Sequence, residues 1–104
     1  MGKRASETCL REDFALYFEP LEGSIEIPLR ALVPTKSPEA QPEAVATAAE
    51  RMRAAAAGDV ARRRPITVRP LPGDQYLILD GNATYGAVIR AGWSSIPATL
   101  EPGG

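Results

Sequence analysis

The sequence predicts a small α/β domain of the α+β kind, with a mixed sheet and two main helices. Three observations point there. An alanine-rich stretch over residues 43–57 repeats its apolar positions with helical spacing. Two strand-like runs, 65–70 and 76–80, flank a proline-glycine turn and read as a hairpin. Directly after Asp80-Gly81 the apolar period turns helical again. The chain has 104 residues, enough for one domain but not two. Its 44% hydrophobic content suits a packed core better than disorder. We place a lead-in at 1–13, the domain at 14–101 and a short tail at 102–104.

Residues 1–13 are polar and aperiodic. Phe14 to Phe18 form a short apolar run, read as a strand or a flap whose exposed face offers a protein-contact surface. Ile25-Glu26-Ile27 alternates, so a strand is expected near 24–28, with Pro28 at its end or on an edge. An extended segment then runs to Pro34, and 34–42 holds three prolines and reads as a loop. In the helix that follows, Val45, Ala48, Ala49, Met52 and Ala56 share the apolar face, and Gly58 stops it. Residues 58–64 link it to the hairpin. Ala83, Ala87, Val88 and Ala91 mark the stripe of the second helix, which Gly92 closes. Residues 95–100 make a last strand. Hairpin partners run antiparallel and a helical crossover permits a parallel neighbour, so the sheet is mixed.

Composition excludes several chemistries. There is no histidine and one cysteine, Cys9, so an intrachain disulfide, a His-ligated metal site and any Ser-His or Cys-His dyad are ruled out. Cys9 has acidic neighbours that disfavour thiolate. The net charge of −1 argues against a whole-surface grip on nucleic acid. It leaves room for a local basic patch, and Arg62, Arg63 and Arg64 form one; a solvated loop is the alternative. No apolar run is long enough to span a membrane and no signal peptide is visible, so a cytoplasmic location is expected. Arginine far outnumbers lysine, as in a GC-rich bacterial gene. The myristoylation-like start and the Asn82-Ala83-Thr84 sequon are therefore taken as chance matches.

Chemistry is expected where the best strand meets the second helix, at Asp80-Gly81-Asn82-Ala83-Thr84-Tyr85. Gly81 permits a tight turn and lets backbone approach a ligand. The first N–H groups of a helix lack intrahelical acceptors and sit at the positive end of its dipole, which suits phosphate. Asn82 or Asp80 can cap the helix, Thr84 can add a hydroxyl, and Tyr85 can stack on a base or pack inward. The same residues also make an ordinary strand-to-helix connection. Hydrolysis or phosphoryl transfer would need a carboxylate, and Asp80 is the best placed, with Glu50 second.

The order of these pieces resembles the ParB/sulfiredoxin superfamily over about three quarters of the chain. Ile27-Pro28, the helix after Pro42, Pro65-Ile66-Thr67-Val68, the run from Tyr76 to Gly81, Tyr85-Gly86-Ala87 and Ile96-Pro97-Ala98 carry the likeness. In sulfiredoxins the turn reads Gly-Cys-His-Arg-Tyr, and its cysteine reduces a peroxiredoxin sulfinic acid using ATP. In ParB-like proteins it reads Gly-Glu-Arg-Arg, and the arginines hold nucleotide phosphates. Here Gly81 and Tyr85 match, while Asn82, Ala83 and Thr84 replace the rest. The missing thiol excludes sulfiredoxin chemistry, and the turn has no phosphate-binding arginine. On the first helix Thr47 and Arg51 fall where sulfiredoxins place residues near the nucleotide. The resemblance implies a module that binds a nucleotide or a nucleic-acid backbone; the cofactor is left open, with a nucleotide and Mg as the candidate. Its alternatives are a degenerate protein-interaction scaffold and a metal-dependent nuclease or phosphotransferase using Asp80.

Overall fold

The computed structural model describes residues 12–102, so most of the expected lead-in, Cys9 included, and the last two residues lie outside it. Seven main elements follow in order: β1 (Ile25–Pro28), β2 (Leu32–Pro34), α2 (Pro42–Ala56), β3 (Ile66–Leu71), β4 (Gln75–Asp80), α3 (Asn82–Ala91) and β5 (Ser95–Leu100). A single helical turn, α1 (Phe14–Tyr17), precedes them. The strands form one mixed sheet in the order β1-β5-β3-β4-β2. β3 and β4 are the antiparallel hairpin. β5 lies parallel to β3, β2 parallel to β4, and β1 antiparallel to β5. The expected fold class is the one observed.

The core follows from the strand alternation. Ile27 faces Ile96, Ile66 faces Ala98 and Val68 faces Ile78 across the ladders. All six are buried, and they join Val45, Ala48 and Met52 of α2 and Ala87 and Val88 of α3 in one cluster. On α2 the buried positions are Val45, Ala48, Met52 and Ala55, with Ala49 and Ala56 packed at the margin. The two helices meet closely at Gly86. A Cβ there would lie 2.7 Å from Val45 Cγ2 and 3.0 Å from Pro38 Cβ, so glycine lets the helices come together. The edge strands β1 and β2 are only four and three residues long, and each ends in proline. Short, proline-ended edges resist pairing with other chains.

The N-terminal aromatic run departs from expectation. Phe14–Tyr17 is a helical turn rather than a strand, and Tyr17 and Phe18 are almost fully buried. Trp93 explains this. α3 ends on Gly92 in the left-handed region, and the Trp93 N–H reaches back to the Val88 carbonyl at 3.0 Å, a closure that fixes the residue after the helix. The indole then stacks against Phe14, Tyr17 and Phe18 at centroid distances of 5.6, 5.5 and 6.2 Å. Each such pair is worth about 0.5–1.5 kcal/mol beyond its buried area. Most of the aromatic surface expected to offer a contact face is thus drawn into the core, with Phe14 half-buried and Ala15 and Leu16 exposed. Glu12, assigned to the lead-in, is also engaged. Its Oε2 accepts from the backbone N–H and hydroxyl of both Ser94 and Ser95.

Candidate functional site

The carboxyl ends of the parallel pair β2 and β4 lie side by side, with Pro34 opposite Ile78. Ligands of open α/β sheets gather beyond such strand ends. A bulge marks the same end of the hairpin: Thr67 pairs with Asp80 and Val68 with Ile78, leaving Leu79 as the extra residue. Bulges of this kind re-aim the chain next to sites, and here the chain turns directly into α3.

α3 begins at Asn82, as its sequence period predicted, and Gly81 occupies the preceding position with φ 110° and ψ 19°. The first helical bond recorded across the turn runs from the Tyr85 N–H to the Gly81 carbonyl, at 2.9 Å. No side chain caps the helix. Both candidate caps are otherwise placed. Asn82 Oδ1 accepts from the backbone N–H groups of Thr35 at 3.0 Å and Lys36 at 3.3 Å, and its Nδ2 donates to Thr35 Oγ1 at 2.8 Å. Thr35 Oγ1 in turn donates to the Ile78 carbonyl. Asn82 therefore staples the segment after β2 to the start of α3. Asp80 is exposed at the strand end.

Gly81 has a second reason besides the tight turn read in the sequence, which its positive φ fits. An added Cβ would lie 2.4 Å from Ile66 Cγ2 and 2.8 Å from Ile66 Cβ. The side a Cβ would take faces β3, so the glycine also lets the turn press against that strand.

Three shallow hollows adjoin the junction. One, of about 380 Å³, lies over the start of α3, with Thr35, Lys36, Gln41, Arg63 and residues 79–84 around it. A second of similar size runs past Arg62, Arg63, Arg64, Pro65 and Ile66 to Asp80, Gly81 and Thr84. A third, of about 390 Å³, lies along α2 between Glu43, Ala44, Thr47, Arg51, Arg63 and Ala83. The structure thus brings Asp80, Gly81, Asn82, Ala83, Thr84, Thr47, Arg51 and the three arginines to one surface. Tyr85 is not part of it; it packs, half-buried, against the core. Thr84 reaches the hollows but is only 2% exposed.

The arginines divide by direction. Arg62 donates to the Ala15 carbonyl at 3.0 Å. Arg64 is exposed and Arg63 is half-buried. Burial, and next the neighbouring positive charge of Arg51, weaken the hold of the Arg63 guanidinium on its proton, while Asp80 strengthens it. Lys36 and Gln41 also line the site, and neither was legible as a site residue. They arrive from the segments after β2 and before α2, and only the tertiary fold places them there. The Gln41 Nε2 is buried with no acceptor among the described residues.

Among the described residues no three carboxylate or thiol side chains gather in a way that would hold a metal ion, and no helix is long and apolar enough to cross a membrane.

No family model matches the sequence, and no curated protein matches it. Solved structures do. A C-terminally truncated chromosome-partitioning protein ParB from Caulobacter crescentus, complexed with CTP-gamma-S, is 26% identical with a TM-score of 0.50, covering 76% of this chain and 44% of that one. A free serine kinase in complex with AMP is 19% identical with a TM-score of 0.56, covering 82% of this chain and 36% of that one. A conserved hypothetical protein from Pyrococcus furiosus is 20% identical with a TM-score of 0.55, covering 82% and 34%. The chain spans less than half the length of each of these proteins. It has the ParB/sulfiredoxin-type fold that its sequence resembles.

Proposed function

We propose that this chain is a nucleotide-binding module of the ParB type, holding the ligand's phosphate at the start of α3. One observation carries the reading: a ten-residue helix begins without a side-chain cap, and its first residues line a hollow together with a half-buried arginine and a lysine. Helix-terminal amides and fixed cations together are the chemistry that phosphate needs. The nucleotides bound by the ParB and serine kinase structures support it, since both proteins share the fold. Hollows of about 380 Å³ favour a small ligand over a nucleic-acid backbone, and the net charge of −1 points the same way.

The enzymatic reading ranks below binding. Asp80 is the one carboxylate shared by the two hollows at the turn, and a single carboxylate is a weak seat for magnesium unless the nucleotide supplies further oxygens. The scaffold reading keeps the missing turn arginine in its favour but loses much of its aromatic surface, since Tyr17 and Phe18 are buried.

Isothermal titration of the full chain with AMP, ADP and CTP, with and without magnesium chloride, tests the proposal. At a ligand concentration about 100-fold above Kd, the melting temperature should rise on the order of 10 °C. No heat and no melting shift with any of the three would overturn it.

A further inference from the structure

The turn between β4 and α3 lacks an arginine, yet the hollows around it are walled by one. Arg63 is the residue common to all three. Its backbone is fixed on both sides. The Arg63 N–H donates to the Tyr17 carbonyl at 2.8 Å, and its carbonyl accepts from the Glu19 N–H at 2.7 Å. This two-sided attachment is a short parallel bridge to Phe18, whose ring is anchored on Trp93. Successive side chains of an extended segment point to opposite sides. Arg62 accordingly turns toward α1, while Arg63 turns inward beside Arg51 and the start of α3.

Among the described residues none pairs with it at close range. Among the described residues the one ion pair is Arg69 with Glu101, elsewhere on the sheet. Asp80 is near enough to be felt but not to pair. Two guanidinium groups are therefore held close together, one of them partly out of water. Both conditions disfavour the charged form. An anion between them offsets both penalties at once.

We propose that Arg63, delivered by the segment before β3, is the charge partner of the ligand's terminal phosphate, acting with Arg51 in place of the arginine that the turn lacks. This rests on the nucleotide reading of the same site and adds to it the residue that confers selectivity for phosphate. The ligand class is a nucleoside di- or triphosphate, discriminated from the nucleoside by this pair.

The test is titration of the full chain with ADP, CTP, adenosine and cytidine, comparing wild type with Arg63→Gln and Arg30→Gln. Arg30 is exposed and lies by the opposite end of β4, so its replacement removes the same charge away from the site. Loss of a charge-assisted phosphate contact weakens binding about ten- to a hundredfold. Arg63→Gln should lose that much affinity for ADP or CTP and most of the preference over the nucleoside. Arg30→Gln should bind as wild type does. The melting temperature of unliganded Arg63→Gln should not fall, because its backbone, not its side chain, makes the bridge to Phe18. If Arg63→Gln binds within twofold of wild type, the inference is overturned and the nucleotide reading stands. If wild type binds none of AMP, ADP and CTP, both are overturned, whereas binding of AMP alone overturns only this inference. Should Arg63→Gln fail to fold, Arg51→Gln decides the matter. Unchanged nucleotide affinity there overturns the paired-arginine site, and a loss of tenfold or more supports it.

Discussion

Replacing Gly81 with alanine measures how firmly the head of α3 is pressed onto β3. Two costs add. The residue sits at φ 110°, where an L side chain costs about 1–2 kcal/mol. The new methyl would also stand 2.4 Å from Ile66 Cγ2 and 2.8 Å from Ile66 Cβ. Ile66 is 2% exposed, and overpacking against a buried side chain costs about 1–3 kcal/mol. Together the substitution removes on the order of 2–5 kcal/mol, a large share of the roughly 5–15 kcal/mol a domain has. At about 4–8 °C per kcal/mol, the melting temperature followed by circular dichroism falls by roughly 8–40 °C. Gly92→Ala is the internal control. Gly92 closes the same helix at φ 83° and ψ 22°, and a Cβ there meets nothing within 4 Å. It carries the conformational cost alone. Adding Ile66→Ala to Gly81→Ala should recover the steric share, so the two changes couple favourably by about 1–3 kcal/mol. Equal losses for the two glycines, or strict additivity with Ile66→Ala, would refute the close approach and with it the geometry of the hollow above.

Three further outcomes follow from other parts of the chain. Asn82→Ala removes the contacts to Thr35 and Lys36. It should cost about 1–2 kcal/mol and speed hydrogen exchange at those two amides, while Asn82→Asp keeps the acceptor and loses less. Glu12 is held below the ordinary glutamate value of 4.5, first by the Ser94 hydroxyl and then by the other Ser94 and Ser95 donors, against an opposing effect of burial. A group depressed in the folded state stabilises above its unfolded value and loses that contribution as pH falls through its folded value. The melting-temperature gap between wild type and Glu12→Gln should be open at about pH 6 and close below the ordinary carboxyl range. Trp93 is the single tryptophan and is 6% exposed. Its fluorescence should report the docking of α1, and Phe14→Ala should shift the emission to longer wavelength before any global loss of helix signal. An unshifted spectrum would mean that the ring contacts do not shield the indole.

Much of the fold was legible because local pattern and tertiary outcome agree. α3 spans Asn82–Ala91 where the helical period starts and where Gly92 ends it. The α2 face is the one its spacing predicts, with Ala55 as the buried addition. What was illegible depends on partners far along the chain. β2 is three residues closed by Pro34, too short to show alternation, and it is a strand because β4 lies parallel beside it. α1 is four apolar residues with neither a cap nor a period. It becomes a helical turn because docking on Trp93 buries Tyr17 and Phe18 together, and an isolated turn of that length has no stability of its own.

The same division explains the site. The strand-turn-helix junction is local, so the sequence shows it. The charges around it are not. Arg62, Arg63 and Arg64 are chemically alike in the sequence and form a single basic patch there. The bridge to Phe18 separates them, because pairing fixes the backbone as extended and alternation then sends the middle side chain inward. The inward direction of Arg63 is thus set by Phe18, and the position of Phe18 is set by Trp93, which Gly92 places after α3. The helix whose head would hold the phosphate therefore also anchors, from its other end, the segment that supplies the cation. A loosened aromatic cluster should weaken ligand binding without any change to a residue that lines the hollows. On this logic Phe18→Leu, which keeps an apolar side chain but gives up the ring contact, should lower nucleotide affinity while leaving the helix signal of α2 and α3 in place. Unchanged affinity with a loosened α1 would mean that Arg63 is held by something other than this bridge.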